Sequence, residues 1–217
     1  MPVFQLRKEI LFPDVSLAEE GGLIAIGGDL SAERLLAAYS CGIFPWFSRE
    51  EPIMWWSPDP RLVLFPDKFI VSHSLQQKID RGVFEIRMDH DFEQVIQSCA
   101  EVDRRDEDGT WITEEMKTAY LELHRKGFAH SIEAYSEGKL AGGLYGVSLG
   151  KAFFGESMFH FRTDASKVAL YHLVETAKKS GILFIDSQVE TEHMIRLGAE
   201  LIPRVEYLRL LKEAIGE

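Results

Sequence analysis

A chain of 217 residues, 46% hydrophobic and 27% charged, has an ordinary globular composition and the length of one large domain or of a small one packed on a larger. Its formal charge of −11 excludes a general nucleic-acid binder with a basic footprint, so any nucleic acid must be held locally, by shape and stacking. No run approaches the ~18 uncharged apolar residues of a membrane helix, and Arg7, Lys8 and Glu9 interrupt the place of a signal peptide's apolar core, so the cytoplasm is expected.

Residues 23–26 read as a short strand, and Gly27-Gly28-Asp29 as a tight turn. The turn is no phosphate loop, because Asp29 would repel phosphate. Ser31 then caps a helix to about Tyr39, with Gly42 past its end. Residues 42–61, GIFPWFSREEPIMWWSPDPR, are the oddest stretch: four prolines preclude regular structure through most of it, and Phe44, Trp46, Phe47, Trp55 and Trp56 crowd together. Such rings either clamp two domains as a satellite core or form a stacking platform. Most are assigned to the clamp, with one or two facing a ligand. The sheet-rich remainder begins near Leu62, dividing the chain into domains 1–61 and 62–217.

In the second part, residues 73–81 read as a helix and 84–88 as a strand. Phe92, Val95, Ile96 and Cys99 follow at helical spacing. Cys41 and Cys99 lack C-x-x-C spacing and read as reduced core residues. A charged loop over 101–109, with Arg104 and Arg105, reads as solvated surface. Thr113 caps a helix carrying Met116, Ala119, Tyr120 and Leu123 on one face; Trp111, just before it, is by itself more often core than ligand platform. Strands over 130–135, 140–148 and 153–159 form a meander. Thr163 or Asp164 caps the next helix, whose face is Ala165, Val168, Ala169, Leu173 and Ala177, and a strand over 185–189 follows. A right-handed crossover lays that strand parallel to the 153–159 strand. A short helix over 192–197 precedes a last one, opened by Pro203 with Val205, Leu208 and Leu211 inward. The fold class is α+β.

The two parallel strands hold polar groups that need a reason. Glu156 lies in one, and Asp186 and Gln188 in the other. A buried carboxylate is costly unless paired or used. Asp186 and Gln188, two apart, are expected to leave the same face. Metal is not indicated, since the seven histidines form no ligand spacing. Gly155-Glu156-Ser157-Met158-Phe159 starts like a nucleophile elbow, but Phe159 replaces the closing glycine. Ser157 therefore reads as a hydrogen-bonding wall residue.

Meander, helix and parallel strand together resemble the core of the acetyltransferases that use coenzyme A (GNAT-type). Those cradle pyrophosphate in a glycine-rich turn, whereas His160-Phe161-Arg162-Thr163-Asp164 offers no glycine and an acid at the helix start. Six motifs in order resemble a narrower family: Gly28-Asp29-Leu30-Ser31, Gly42-Ile43-Phe44-Pro45-Trp46-Phe47, Trp55-Trp56-Ser57-Pro58-Asp59-Pro60-Arg61, Gly109-Thr110-Trp111-Ile112-Thr113, Gly155-Glu156-Ser157-Met158-Phe159 and Asp186-Ser187-Gln188. They look like leucyl/phenylalanyl-tRNA–protein transferase over nearly the whole chain. The resemblance implies a small N-terminal domain joined to an acetyltransferase-like, mixed-sheet domain. It implies transfer of Leu, Phe or Met from aminoacyl-tRNA to a protein's N-terminal Arg or Lys, marking it for N-end rule degradation. It implies that Trp46 and Trp111 flank the terminal adenosine, that Phe153, Gly155, Glu156, Ser157 and Met158 border the side-chain pocket, and that Asp186 and Gln188 sit at the reacting ester. It implies no metal, coenzyme or membrane. On residues alone, Gln188 can accept a hydrogen bond from the attacking amine while Asp186 orients its amide. Two other readings stay open: a coenzyme A-dependent N-acetyltransferase, which would bind acetyl-CoA, and a non-catalytic reader of peptide N-termini, which would bind Arg-starting peptides without forming product.

Overall fold

The structure, a computed structural model, describes residues 3–102 and 111–216. Arg104 and Arg105 of the charged loop, and Gly109 and Thr110 of the fourth motif, lie outside the described residues. In chain order the first elements are β1 (Phe4–Leu6), β2 (Leu23–Gly27), α1 (Ala32–Ser40), β3 (Phe44–Pro45), β4 (Met54–Trp56) and β5 (Arg61–Leu64). Next come α2 (His73–Asp80), β6 (Glu85–Met88), α3 (Phe92–Glu101), α4 (Glu114–Arg125), β7 (Ala129–Ser136), β8 (Lys139–Leu149) and β9 (Ala152–His160). The chain closes with α5 (Ala165–Ser180), β10 (Phe184–Gln188), α6 (Glu192–Arg196), β11 (Glu200–Ile202) and α7 (Arg204–Ile215).

Among the described residues the strands form two sheets, β1-β2-β4-β3 and β11-β5-β10-β9-β8-β7-β6. The proline-rich stretch is thus more regular than its composition indicates. Pro45 is admitted because β3 is an edge strand, where a missing N–H breaks no central ladder. Trp55 is buried at the centre of this sheet and donates its indole N–H to the Gly27 carbonyl at 2.8 Å. In the large sheet β7, β8 and β9 form the meander, and α5 crosses over to β10, parallel to β9. Ala165, Val168, Ala169, Leu173 and Ala177 of α5 are buried as its periodicity requires. One core cluster runs from Leu35 and Tyr39 of α1 through Phe154 of β9 to Tyr207 of α7, joining the two sheets.

Two details depart from the sequence reading. Asp164 is the N-cap of α5, with φ +70°, but its side chain caps nothing. Its carboxylate is held instead by the Lys78 and Lys167 ammonium groups, at 2.6 and 2.9 Å. In α7 the inward face is Tyr207, Leu211 and Ala214, while Val205 is exposed. At the start of α7 the Arg204 N–H donates to the Asp59 carboxylate at 2.9 Å and its guanidinium to the Ser57 carbonyl at 2.6 Å.

Candidate active site

β10 runs parallel to β9 from Phe184↔Ala152 to Asp186↔Phe154, and there the pairing ends. A cavity of about 380 Å³ opens where the strands part. Each strand carries a bulge at this point. In β9 the register with β8 passes from Gly146↔Gly155 to Tyr145↔Ser157, leaving Glu156 unmatched. In β10 the register with β5 passes from Asp186↔Val63 to Gln188↔Leu62, leaving Ser187 unmatched, and Gln188 has φ +56°. Bulges re-aim side chains, and these two bring Glu156 and Gln188 together. Gly146 makes the first bulge possible: a Cβ there would lie 2.5 Å from the Phe153 ring and would collide with the Phe154 carbonyl oxygen.

Asp186 is buried and accepts from Arg61 in bidentate fashion, Nε to Oδ1 at 2.9 Å and Nη2 to Oδ2 at 2.7 Å. The Tyr207 hydroxyl donates to Oδ2 at 2.8 Å, and the backbone N–H of Gln188 to Oδ1 at 2.9 Å. The Arg61 guanidinium is sandwiched between the Phe44 and Tyr207 rings, 4.7 and 4.6 Å from their centroids. Asp186 thus fixes the backbone of the β10 bulge. It does not orient the Gln188 amide, as the sequence led one to expect, nor does it line the cavity. That amide donates from Nε2 to Glu156 Oε1 at 3.2 Å. The same Glu156 carboxyl meets the Tyr39 hydroxyl at 2.7 Å and the Tyr120 hydroxyl at 2.8 Å, and these hydroxyls are 2.6 Å apart. Burial pushes Glu156 up to about 7, with the negative charge of Asp186 adding to the rise and the two tyrosine hydroxyls and Arg61 opposing it. The tyrosines are themselves raised well above their ordinary value, first by burial and then by Glu156.

Trp46, Trp111, Gly155, Glu156, Ser157, Met158 and Gln188 all line the cavity. Phe153 does not; it is buried beneath, packed with Leu144, Ile185 and Leu170. Apolar walls come from Leu144, Met158, Leu170, Leu173, Ile185 and Met194, and the polar groups of Ser187, Gln188, Thr191 and His193 gather on the β10–α6 side. Trp46 is 41% exposed. Its backbone carbonyl accepts from the Trp56 indole at 2.7 Å, and the two rings meet edge to face 6.0 Å apart. Sequence reasoning did not single out Arg61, Tyr207, Tyr39 or Tyr120. Arg61 left a signal as the last residue of the Trp55-Trp56-Ser57-Pro58-Asp59-Pro60-Arg61 motif, and Tyr120 as a member of the apolar face of its helix. Among the described residues no group of three or more His, Cys, Asp or Glu side chains could hold a metal ion.

Meander, crossover helix and parted parallel strands, with a mostly apolar cavity between them, make an acetyltransferase-like fold. Residues 63–212 match the family model for leucyl/phenylalanyl-tRNA protein transferase, and residues 28–59 the model for that family's N-terminal domain. The leucyl/phenylalanyl-tRNA–protein transferase of Anaeromyxobacter sp. (strain K) is 57% identical over 217 residues, covering 100% of this chain and 93% of that protein. Its counterpart in Syntrophobacter fumaroxidans (strain DSM 10017 / MPOB) is 55% identical over the same shares. Among solved structures, L-PGS from Bacillus licheniformis is similar at a TM-score of 0.42, with 12% identity over 71% of this chain and 50% of that one. The chain belongs to the leucyl/phenylalanyl-tRNA–protein transferase family and is an enzyme that moves an aminoacyl group from tRNA to protein.

Proposed function

We propose that the cavity receives the aminoacyl-adenosine end of a tRNA charged with Leu, Phe or Met, and that the acceptor is a protein with N-terminal Arg or Lys. Residues 1–61 and 62–217 act as two domains that meet across this substrate. The observation that carries the reading is that one cavity joins two tryptophans, an apolar wall and the Gln188 amide. Trp46 and Trp111 flank the adenine, and the amino-acid side chain enters between Met158, Leu170 and Leu173. The acceptor α-amine, with a free pKa of ~7.7–8, is partly neutral at pH 7 and needs little base strength. Its nitrogen attacks the ester carbonyl carbon; the C–N bond forms as the C–O bond to ribose breaks, and the amine proton ends on the departing ribose oxygen. Gln188 accepts a hydrogen bond from the amine through its Oε1 while Nε2 is held by Glu156. Most of the rate comes from positioning two substrates, since the ester is already activated. The reaction runs in the cytoplasm, and the product is marked for degradation. Among the described residues no helix is long and apolar enough to cross a membrane.

Two outcomes test this reading. Trp46→Ala and Trp111→Ala each remove a ring worth ~1–3 kcal/mol of base stacking, so kcat/KM for aminoacyl-tRNA should fall about tenfold to a hundredfold with an unchanged melting temperature. Normal turnover in both variants contradicts the adenosine site. With the wild-type enzyme, a panel of charged tRNAs should show transfer of Leu, Phe and Met, weaker transfer of Val and Ile by ~1–3 kcal/mol of fit, and no transfer of Asp or Lys. Efficient Asp or Lys transfer contradicts the apolar pocket.

A further inference from the structure

We propose that Glu156 works as a neutral carboxylic acid, closing a ring of three hydrogen bonds with Tyr39 and Tyr120, and that the closed ring holds Glu156 where it anchors the nitrogen end of the Gln188 amide. The ground is a proton count. Three oxygen pairs lie at hydrogen-bond distance: Tyr39–Tyr120 at 2.6 Å, Tyr39–Glu156 Oε1 at 2.7 Å and Tyr120–Glu156 Oε2 at 2.8 Å. Each pair needs a proton between its oxygens. The two hydroxyls own two. With Glu156 ionised, one side of the triangle would set lone pair against lone pair among fully buried tyrosines, a costly arrangement. A protonated Glu156 supplies the third.

The amide of Gln188 fixes the direction of the ring. Its Nε2 donates to Oε1 of Glu156 at 3.2 Å. Oε1 is therefore the carbonyl oxygen, the better acceptor, and takes the Tyr39 proton as well. Oε2 carries the acid proton and donates it to Tyr120, and Tyr120 donates to Tyr39. Tyr39 from α1 and Tyr120 from α4 are then positioning residues on Gln188, acting through Glu156 from two helices more than 80 positions apart. With Nε2 engaged, the Gln188 carbonyl oxygen is the end left for substrate. This last consequence rests on the amine-accepting role of Gln188 given above; the ring itself does not.

The ionisable groups around Glu156 agree. Tyr39 and Tyr120 face it from α1 and α4, Tyr145 packs on Tyr120 from β8, and Asp186 of β10 adds a negative charge that disfavours a second one. Arg61 of β5 opposes this, but its fork is engaged by Asp186. His193 of α6 lines the same cavity. Burial is the largest influence and leaves Glu156 poised at about 7. The folded-state value is thus above the ordinary 4.5. The ring's stabilisation is complete below the ordinary value and is lost as pH rises through about 7.

Infrared difference spectra of the full chain between pH 6 and pH 9 test the ring without any substrate. The wild type should lose the carbonyl band of a protonated carboxylic acid on going to pH 9, and Glu156→Gln should lack that change. Tyr120→Phe, which opens the ring but keeps the acid, should shift the band and is the second variant if Glu156→Gln fails to fold. Absence of a titrating acid band in the wild type overturns the proposal, as does its persistence in Glu156→Gln. The kinetic arm compares pH profiles: above pH 7, as ionisation opens the ring, the wild-type rate should fall relative to Glu156→Gln, whatever the variant's absolute rate. Superimposable profiles would refute the link to Gln188. Should no form transfer an aminoacyl group at all, the functional reading fails while the infrared band still decides the ring.

Discussion

Gln188→Ala should lower kcat for aminoacyl transfer about a hundredfold or more, with little change in KM for aminoacyl-tRNA. The size follows from what the side chain does. In the proposed reaction it is the group on β10 whose amide oxygen meets the attacking amine, and a positioned proton acceptor contributes typically 10²–10⁴-fold. Its Nε2 end touches Glu156 at a modest 3.2 Å, so the truncation removes little stability. A drop in kcat at constant KM marks an interaction made in the transition state. Steady-state kinetics with saturating acceptor peptide give the answer. If Gln188→Ala turns over like the wild type, the amine-accepting role belongs to another group.

Asp186→Ala should act mainly on stability, unfolding the protein about 3–5 kcal/mol more easily. Alanine leaves the Arg61 guanidinium buried and uncompensated between Phe44 and Tyr207, and removes the acceptor for the Gln188 N–H. For a chain of this length that corresponds to about 6–20 °C in melting temperature. Arg61→Ala should cost a similar amount. The combination Arg61→Met with Asp186→Leu should cost less than the sum of the single losses, because contacting partners are not additive and an apolar pair leaves no buried charge. An Asp186→Ala variant with wild-type melting behaviour and no activity would contradict this assignment and move Asp186 into the chemistry.

The difference between these two residues was not legible in Asp186-Ser187-Gln188. Strand alternation places residues two apart on one face, and nothing local announces that Ser187 is the extra residue of a bulge. The partner that occupies Asp186 lies 125 positions away, at the end of the tryptophan–proline motif. A buried carboxylate did announce that some partner must exist; which one is a tertiary fact. The same holds for Glu156, whose strand was clear from its apolar neighbours but whose hydroxyl partners come from α1 and α4. Elements with strong periodicity or caps, such as α1 with Ser31 and α4 with Thr113, emerged close to the lengths read from the chain. Elements formed by pairing alone were less visible. β1, β3 and β11 are two or three residues long, and no local pattern of that length distinguishes a strand from a loop.

The site also explains why the acidic balance of the chain is compatible with a nucleic-acid substrate. In the proposed adenosine site, recognition relies on two indole rings and apolar walls, which need no basic field to hold one nucleoside. The acid at the start of α5, tied to Lys78 and Lys167, sits where a coenzyme A enzyme would keep a pyrophosphate cradle.

The most direct measurement mixes the purified protein with tRNA carrying radiolabelled leucine and a peptide beginning with Arg, and follows the label. Label should move into the peptide, sequencing should find leucine ahead of the original arginine, and a peptide with a blocked α-amine should take none. Label that stays on the tRNA or appears as free leucine, with the protein folded and charged tRNA bound, would contradict the assignment of this cavity to aminoacyl transfer.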